Sequence, residues 1–295
     1  MTAELKIGRF VLCVTTLACL GLLAHRVAAE QPAPTPYPNG ILAGTDHRVP
    51  VTSDAWPWQS IGRVNVVRGL RHRGYCTGTL IGHRQVLTAA HCLFDTQLNS
   101  WVEPHQVHFV VGQSDGDKFL GHSVAIGMVT DPDFRFGIQD RPRYDQIRFD
   151  MIARDWAIIT LADHLNLKPI LWRIIRNGDL PSTADPGEIA LAGYSRDRPF
   201  LLSVHRGCSV KTDVPQPGSL RHRCDSMPGE SGSPILLLEG ANASVIGIHT
   251  AVEERFGPGV GYTPEFARGV SASAFEAAAL FAVTKDPAGS GPASL

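Results

Sequence analysis

Short apolar runs, separated by glycine and proline, recur along most of this chain. Runs that are rich in β-branched and apolar residues and bounded by turn residues are typical of β-strands. They cover residues 61–67, 74–81, 85–88, 107–111, 124–129, 156–161, 188–194, 201–204, 235–238 and 245–249. Many short strands with such turns predict a sandwich or a pair of barrels, and the alanine-rich run at residues 275–283 predicts a short C-terminal helix.

The first apolar run differs from the others because two basic residues precede it. Residues 10–24 are apolar, and the small residues at 27–29 follow, which is the pattern of a secretory signal peptide cut after Ala29. A membrane anchor is the alternative, but the run is shorter than the ~20 residues that a span needs. Residues 1–29 are therefore predicted to be a signal peptide. We expect a secreted or periplasmic protein with no stable membrane association after signal cleavage.

Changes in composition divide the rest of the chain. Residues 30–40 include an alternation of proline with small residues, which predicts an extended linker or a short pro-segment. Residues 41–167 and 168–285 each contain a set of candidate strands, so each range predicts one β-domain. Residues 286–295 are rich in glycine, proline and serine and predict a flexible tail.

The composition says more about possible binding partners than about the fold. Of the 295 residues, 43% are hydrophobic and 19% are charged, as in soluble globular proteins. A formal net charge of −1 gives no general attraction to nucleic acid. The sequence contains neither a metal-binding motif nor a phosphate-binding loop. We therefore predict no nucleic-acid partner, no metal and no cofactor.

The candidate chemistry lies in residues 224–234, where a serine stands between two glycines in Cys-Asp-Ser-Met-Pro-Gly-Glu-Ser-Gly-Ser-Pro. Gly229 and Gly232 permit a tight backbone path that other residues would block. Such a path exposes the hydroxyl of Ser231 and turns nearby N–H groups toward one point, as the stabilisation of an oxyanion requires.

A serine hydroxyl is a weak nucleophile, so this interpretation needs a base and an orienting acid elsewhere. His91 follows a candidate strand in Thr-Ala-Ala-His-Cys, and Asp155 opens the apolar strand at residues 156–161. Asp150 is a rival acid, but Asp155 fits the start of the strand better. The chain order His, Asp, Ser differs from that of the α/β-hydrolases, whose last motif glycine is replaced here by Ser233. An esterase of that fold is therefore disfavoured.

Three separated blocks resemble the chymotrypsin-type, or trypsin-like, serine peptidases. They are Gly-Tyr-Cys-Thr-Gly-Thr-Leu-Ile at 74–81 with Leu-Thr-Ala-Ala-His-Cys at 87–92, Asp-Trp-Ala-Ile-Ile-Thr-Leu at 155–161, and Gly-Glu-Ser-Gly-Ser-Pro at 229–234. The last block is most similar to the bacterial branch that contains the glutamyl endopeptidases. The resemblance implies an all-β fold of two six-stranded antiparallel β-barrels with a short C-terminal helix.

The resemblance also implies an activity, a serine endopeptidase acting as a monomer on protein or peptide substrates. His91 would take the proton from Ser231, and Asp155 would orient the imidazole. The N–H groups of Gly229 and Ser231 would bind the oxyanion. The alternative is a binding module on the same fold in which catalysis is weak or lost.

Four cysteines lie outside the predicted signal peptide, and export makes them candidates for disulfides. Four cysteines allow three pairings, and the residues alone do not choose between them. The resemblance implies Cys76–Cys92 and Cys208–Cys224.

Substrate preference has two alternatives, beside a third in which both residues serve the structure, with Asp225 hydrogen-bonded to backbone and His249 packed on a strand. In the resemblance, Asp225 and Ser226 lie near the base of the primary specificity pocket, where digestive trypsins keep an acid for Lys or Arg. His249 and Thr250 instead resemble the segment with which glutamyl endopeptidases recognise an acidic side chain, and a charged histidine would attract one. The preference is unresolved, and two blocks favour Glu or Asp.

The acid before the candidate nucleophile raises the question of activation. In the digestive branch this acid pairs with a new Ile N-terminus, which cleavage after a basic residue releases. Here Ile41 follows Gly40. We therefore expect no activation switch of that type, although Glu230 is able to accept an ammonium group.

Overall fold

A computed structural model describes residues 40–42, 44–68, 72–114, 118–136, 149–176, 180, 187–212, 215–257 and 260–286. The predicted signal peptide, nearly all of the predicted linker and the tail beyond residue 286 lie outside the described residues. Of the helices within the described ranges, none has the length and apolar character that a membrane crossing needs.

Strands dominate the described chain, with one α-helix and four short 3-10 helices. The strands are β1 (Val49–Pro50), β2 (Ile61–Arg68), β3 (His72–Leu80), β4 (Gln85–Thr88), β5 (Phe94–Asp95), β6 (Ser100–Trp101), β7 (Val107–Val111), β8 (Gly121–Thr130), β9 (Ala157–Leu161), β10 (Gly187–Ser195), β11 (Arg198–Arg206), β12 (Val210–Lys211), β13 (Ser219–His222), β14 (Pro234–Glu239), β15 (Asn242–Gly257) and β16 (Val260–Ser271). The 3-10 helices are Trp58–Ser60, Ala90–Leu93, Pro104–Gln106 and Phe149–Arg154, and α1 is Ala272–Thr284.

Six strands close into a barrel in the order β2-β3-β4-β9-β8-β7. The strand β7 illustrates how the sequence forms this barrel. Val107, Phe109 and Val111 are fully buried, while the residues between them are only partly buried. This alternation places one face of the strand in the barrel core. The strand β4 is buried at every position, since β3 and β9 pair with it on both sides.

The second half forms one eight-stranded antiparallel sheet in the order β1-β11-β10-β14-β15-β16-β13-β12. The mostly β class and the short C-terminal helix are confirmed, and of the two predicted six-stranded barrels one is a closed barrel while the other is this eight-stranded sheet. The second unit differs from the predicted six strands because the two-residue strands β1 and β12 lengthen its ends. The strand β1 comes from the N-terminal segment, so the chain enters the second sheet before it forms the barrel.

The short strands β1, β5, β6, β12 and β13 were not predicted, and the long hairpin of β15 and β16 departs most from the prediction. Only residues 245–249 were predicted as strand there, whereas β15 continues to Gly257 and β16 was not predicted. This segment carries charged residues and includes Pro264, both of which are unusual within a strand. The pairing has three register shifts, which interrupt the regular alternation that a sequence pattern can reveal.

A buried polar connection joins the two halves at Thr77 on β3. Its Oγ1 accepts the N–H of Tyr194 at 2.9 Å and donates to the carbonyl of Gly229 at 3.1 Å. Tyr194 is fully buried, and its phenol donates to the carbonyl of Gln113 at 3.0 Å. These bonds fix the barrel against the segment that contains Ser231.

Two disulfides connect segments near this junction. Cys76 pairs with Cys92, and Cys208 pairs with Cys224. These are the pairings that the resemblance implies. Each bridge joins cysteines 16 residues apart.

We predict that the double substitution Cys208→Ala/Cys224→Ala lowers the free energy of unfolding by ~3 kcal/mol. A closed loop of this size removes that much conformational entropy from the unfolded chain. Urea unfolding of the variant beside the unmodified protein measures the loss. Cys76→Ala/Cys92→Ala is the matched control, because equal separations predict equal losses. A large difference between the pairs would show that native packing, not loop closure, sets the effect.

Candidate active site

The segment around Ser231 takes the tight backbone path that its glycines predict. Gly229 has φ +103° and Gly232 has φ +80°, which is the left-handed region that favours glycine. A Cβ on Gly232 would lie 2.3 Å from the Oγ1 of Thr88 and 2.4 Å from the carbonyl of Thr77. The site therefore requires glycine both for its φ and for the close approach of β3 and β4.

Ser231 is held between the barrel and the second sheet. Its carbonyl accepts the N–H of Thr77 at 2.9 Å. The next N–H, that of Gly232, donates to the carbonyl of His249 on β15 at 2.8 Å. The backbone on both sides of Ser231 is therefore fixed by strands of different sheets, which limits the positions that its hydroxyl can take.

His91 and Asp155 form a closely coupled pair. His91 lies in the 3-10 helix Ala90–Leu93, and its N–H donates to the Oδ1 of Asp155 at 2.8 Å. Its Nδ1 lies 2.8 Å from the Oδ2 of the same carboxylate, which is fully buried. A carboxylate at Nδ1 favours the tautomer in which Nε2 is a proton acceptor. The rival Asp150 is exposed, and the carboxylate that holds His91 is that of Asp155.

The Cys76–Cys92 disulfide lies close to both the histidine and the serine. The Sγ of Cys92 is 3.8 Å from the Nε2 of His91 and 4.0 Å from the carbonyl oxygen of Ser231. The structure therefore brings His91, Asp155 and Ser231 to one place at the junction of the barrel and the second sheet.

Two backbone N–H groups flanking Glu230 are free to bind an anion. In the described part of the chain, the N–H groups of Gly229 and Ser231 donate to no other residue. Between them, the N–H of Glu230 turns the other way and donates to the carbonyl of Met227 at 3.0 Å. This alternation suits an oxyanion-binding pair at the candidate nucleophile.

Asp225 is buried and already bound by the N-terminal segment. Its Oδ1 accepts the N–H of Leu42 at 2.8 Å, and its Oδ2 accepts the N–H of His47 at 3.0 Å and contacts the Nδ1 of His47 at 2.8 Å. Burial alone would raise the pKa of Asp225, but contact with His205 and the hydrogen bonds from His47 and Leu42 hold the pKa below its usual range. The carboxylate is therefore charged, and its partners lie within the chain.

His249 is buried and hydrogen-bonded to a second histidine. Its Nδ1 lies 3.0 Å from the Nε2 of His222. Burial, with a smaller contribution from the charge of His91, lowers the pKa of His249 to about 3. His249 is therefore uncharged near neutral pH, and it lacks the positive charge through which a histidine would attract an acidic side chain.

The other two candidate pocket residues have buried hydroxyls. Among the described residues, the Oγ of Ser226 and the Oγ1 of Thr250 have no hydrogen-bond partner. The backbone N–H of Ser226 donates to the carbonyl of Gly40 at 3.0 Å. Buried hydroxyls without partners are costly and commonly mark places where a ligand or water supplies the bond.

One cluster of possible metal ligands lies beside these residues. A nitrogen each of His47 and His205 and a carboxylate oxygen of Asp225 lie within 4.8 Å of one another. The Nδ1 of His205 is already engaged by Asp225, at 2.8 Å from its backbone nitrogen and 3.3 Å from its Oδ2. Hydrogen bonds therefore account for the cluster, and the absence of a metal stays a prediction.

Several residues of the site were not found from the sequence. Glu230 pairs with the guanidinium of Arg48, whose Nη1 lies 3.2 Å from its Oε2, and not with an ammonium group. The sequence analysis also did not identify His47, His205 and His222 as residues of the site. Arg48 and Glu230 are 182 residues apart, so no local pattern indicates that they meet.

Comparison with known proteins agrees with this geometry. The chain matches the trypsin-like peptidase domain over residues 76–248. It is 29% identical over 178 residues to serine protease 23 of Mus musculus, covering 54% of this chain and 42% of that protein. It is 37% identical over 78 residues to glutamyl endopeptidase of Bacillus licheniformis, covering 26% of this chain and 23% of that protein. The chain thus spans less than half the length of these relatives.

A solved structure of a Glu endopeptidase superimposes on the chain with a TM-score of 0.58 at 20% identity. The superposition covers 82% of this chain and 99% of the other. At this identity the likeness speaks for the fold alone, and it confirms the predicted chymotrypsin-like class.

We predict that Gly232→Ala destabilises the protein far more than Gly240→Ala. Both glycines have positive φ, so each substitution costs ~1–2 kcal/mol in backbone strain. Only at Gly232 does the new Cβ also meet the Oγ1 of Thr88 and the carbonyl of Thr77, whereas nothing lies within 4 Å of it at Gly240. Thermal and urea unfolding measure both variants. Equal losses would contradict the close contact at Gly232.

Proposed function

The chain belongs to the family of trypsin-like peptidases, and from that premise we propose that it is an exported serine endopeptidase with His91, Asp155 and Ser231 as its catalytic residues. The observation that carries the proposal is the buried carboxylate of Asp155, which holds both the backbone and the ring of His91 beside the glycine-flanked serine. A histidine that serves only as a surface residue has no need of two hydrogen bonds to a buried carboxylate, so this pairing favours a catalytic role for His91.

The arrangement supports acyl transfer through a covalent intermediate. The Oγ of Ser231 attacks the carbonyl carbon of a peptide bond while its proton moves to the Nε2 of His91. The carbonyl oxygen becomes an oxyanion, which the N–H groups of Gly229 and Ser231 stabilise, and losing one such donor typically costs ~3 kcal/mol. The proton then passes from His91 to the leaving amine. Water repeats the sequence and releases the acyl group from Ser231.

An acidic residue on the acyl side of the cut suits the pocket residues best. Asp225 is 1% exposed, and its charge is already compensated by hydrogen bonds from Leu42 and His47, which leaves it less able to attract a substrate lysine or arginine. Ser226 and Thr250 have buried hydroxyls able to donate hydrogen bonds to a carboxylate. The neutral imidazole of His249 has a nitrogen that is not bonded to His222 and is able to do the same. The glutamyl preference in the name of one similar protein supports this choice.

The proposed organisation places the enzyme outside the cytoplasm. Residues 1–29 act as the signal peptide, and residues 41–167 and 168–285 supply the two β-domains, with the exception of the strand β1, which pairs within the second sheet. The two disulfides support export, because such bonds persist in oxidising compartments. Proteins are the substrates that the family implies.

We predict that Ser231→Ala abolishes peptide hydrolysis and that Asp155→Asn lowers kcat by ~10⁴-fold. The first change removes the nucleophile, and the second removes the charge that holds the useful tautomer of His91. Steady-state kinetics on a peptide library, with labelling by a fluorophosphonate serine reagent, measure both effects.

The matched control is Asp150→Asn, which neutralises the exposed aspartate five residues earlier and should leave kcat within about threefold of the unmodified protein. If Asp150→Asn lost activity while Asp155→Asn stayed active, the assignment of Asp155 as the acid that orients His91 would be wrong. An unmodified protein that neither cleaves peptides nor reacts with the serine reagent would be a binding module on the protease fold.

We predict faster cleavage after Glu than after Arg in substrates that differ only at that position. His249→Ala should lower kcat/KM for the Glu substrate by at least about tenfold and leave slow Arg cleavage nearly unchanged, since it removes one hydrogen-bond donor to the carboxylate. Because the pKa of His249 is about 3, this histidine carries no charge to lose as pH rises from ~5 to ~8. The ratio of Glu to Arg cleavage should therefore stay level across that range.

The control for the pocket is Asp225→Asn, which should not alter the preference because the carboxylate faces its own chain. Cleavage mainly after Arg, abolished by Asp225→Asn, would overturn the acidic preference and leave the catalytic residues in place. A Glu preference that falls between pH ~6 and ~8 would instead show that a charged histidine recognises the substrate.

A further inference from the structure

The carboxylate next to the candidate nucleophile has an arginine partner from the far end of the chain. We propose that Arg48 is a positioning residue, whose guanidinium holds Glu230 and thereby keeps residues 227–231 in the form that presents the N–H groups of Gly229 and Ser231 to an oxyanion. This inference rests on the proposed peptidase function. Arg48 would thus have the role that a newly cleaved N-terminus has in the digestive enzymes, which is to pair with the carboxylate beside the nucleophile.

Arg48 is fixed before it reaches Glu230. Its side chain is 2% exposed, and its Nε and Nη2 each lie 3.0 Å from a different oxygen of Asp46. Its Nη2 and Nη1 contact the two oxygens of Asp197 at 2.9 and 3.3 Å. Nη1 also donates a hydrogen bond to the Oε2 of Glu230 at 3.2 Å. Two paired carboxylates therefore orient the guanidinium, and the third contact is the one to the active-site loop.

Glu230 transmits this contact to the loop through its side chain and its backbone. Its Oε2 accepts the N–H of Met227 at 2.5 Å as well as the bond from Arg48. Its own N–H donates to the carbonyl of Met227 at 3.0 Å, and its carbonyl accepts the N–H of Ser233 at 2.9 Å. A buried carboxylate without a partner is unfavourable, so removing Arg48 forces Glu230 either to take up a proton or to move. Both responses alter the backbone that carries Gly229 and Ser231.

The segment that carries Arg48 is itself anchored to this loop. The carbonyl of Gly40 accepts the N–H of Ser226 at 3.0 Å, and the N–H of Leu42 donates to Asp225 at 2.8 Å. After Arg48, the strand β1 pairs with β11. A guanidinium keeps its charge at any working pH, so the contact with Glu230 depends on neither a free amino group nor a cleavage event.

The charges around Glu230 give the proposal a pH signature. Burial raises the pKa of Glu230 to about 7, the positive charge of Arg48 opposes the rise, and the negative charge of Asp197 adds to it. The phenol of Tyr75 also lies near the carboxylate. Removing Arg48 should therefore raise the pKa of Glu230 further. The proposed geometry of residues 227–231 depends on the charged form of Glu230. In a variant without Arg48, the pH below which activity is lost should therefore be higher than in the unmodified protein.

The test is a set of four variants in the full chain: Arg48→Met, Arg48→Lys, Glu230→Gln and the double change Arg48→Met/Glu230→Gln. Arg48→Met should lower kcat by at least about 100-fold with little change in KM, as expected for loss of an oxyanion-binding geometry. Its acid limb should move to higher pH. Arg48→Lys, which keeps the charge, should retain more activity. The double variant should recover at least about tenfold over Arg48→Met and show no shift of the acid limb, since no unpaired carboxylate remains.

Arg206→Met is the matched control, because Arg206 pairs with Glu188 in the same sheet at an exposed position. Its kcat should stay within about threefold of the unmodified protein. Circular dichroism and thermal unfolding establish that each variant is folded. If Arg48→Met does not fold, Arg48→Lys and Glu230→Gln are compared in its place, and equal kcat and pH profiles for these two and the unmodified protein would overturn the proposal.

Amide hydrogen exchange at residues 227–232 provides a readout that does not need activity. Arg48→Met should speed exchange there, and the double change should restore slow exchange. Full kcat in Arg48→Met, or a double variant as impaired as the single one, would overturn the positioning role. An inactive unmodified protein would instead disprove the proposed function, and the exchange data would still decide whether Arg48 holds the loop.

Discussion

Burial of carboxylates is the constraint that shapes this active-site region. Asp155, Asp225 and Glu230 are each at most 1% exposed, and a buried carboxylate is stable only when charges or hydrogen-bond donors compensate for the lost water. Each of them finds compensation in a different segment. Asp155 binds His91, Asp225 binds the N-terminal segment, and Glu230 binds Arg48. The need to pair three charges therefore brings distant parts of the chain to one loop.

The N-terminal segment gains a structural role from this constraint. Two of the three carboxylates are satisfied by Leu42, His47 and Arg48, which precede the edge strand β1 of the second sheet. The same segment binds the charged carboxylate of Asp225 through the N–H groups of Leu42 and His47. Two of the buried charges near Ser231 therefore depend on the same short segment.

Much of the fold and the central residues of the site were predictable from the sequence. Alternating apolar positions indicate most strands, and three separated blocks indicate His91, Asp155 and Ser231, because tight glycine turns and strand ends leave local patterns. The partners of the buried charges leave no such pattern. Arg48 is one of many arginines until the fold places it at Glu230, and the neutral state of His249 follows from burial beside His222, which only the packed structure reveals.

The short strand β1 also bears on how the molecule behaves in a crowded solution. It lies at the outer edge of the eight-stranded sheet, where unpaired backbone groups would otherwise invite another chain to add a strand. Pro50 has no N–H to offer, and the strand is only two residues long. The N-terminal segment therefore ends the sheet with a residue that discourages edge-to-edge aggregation.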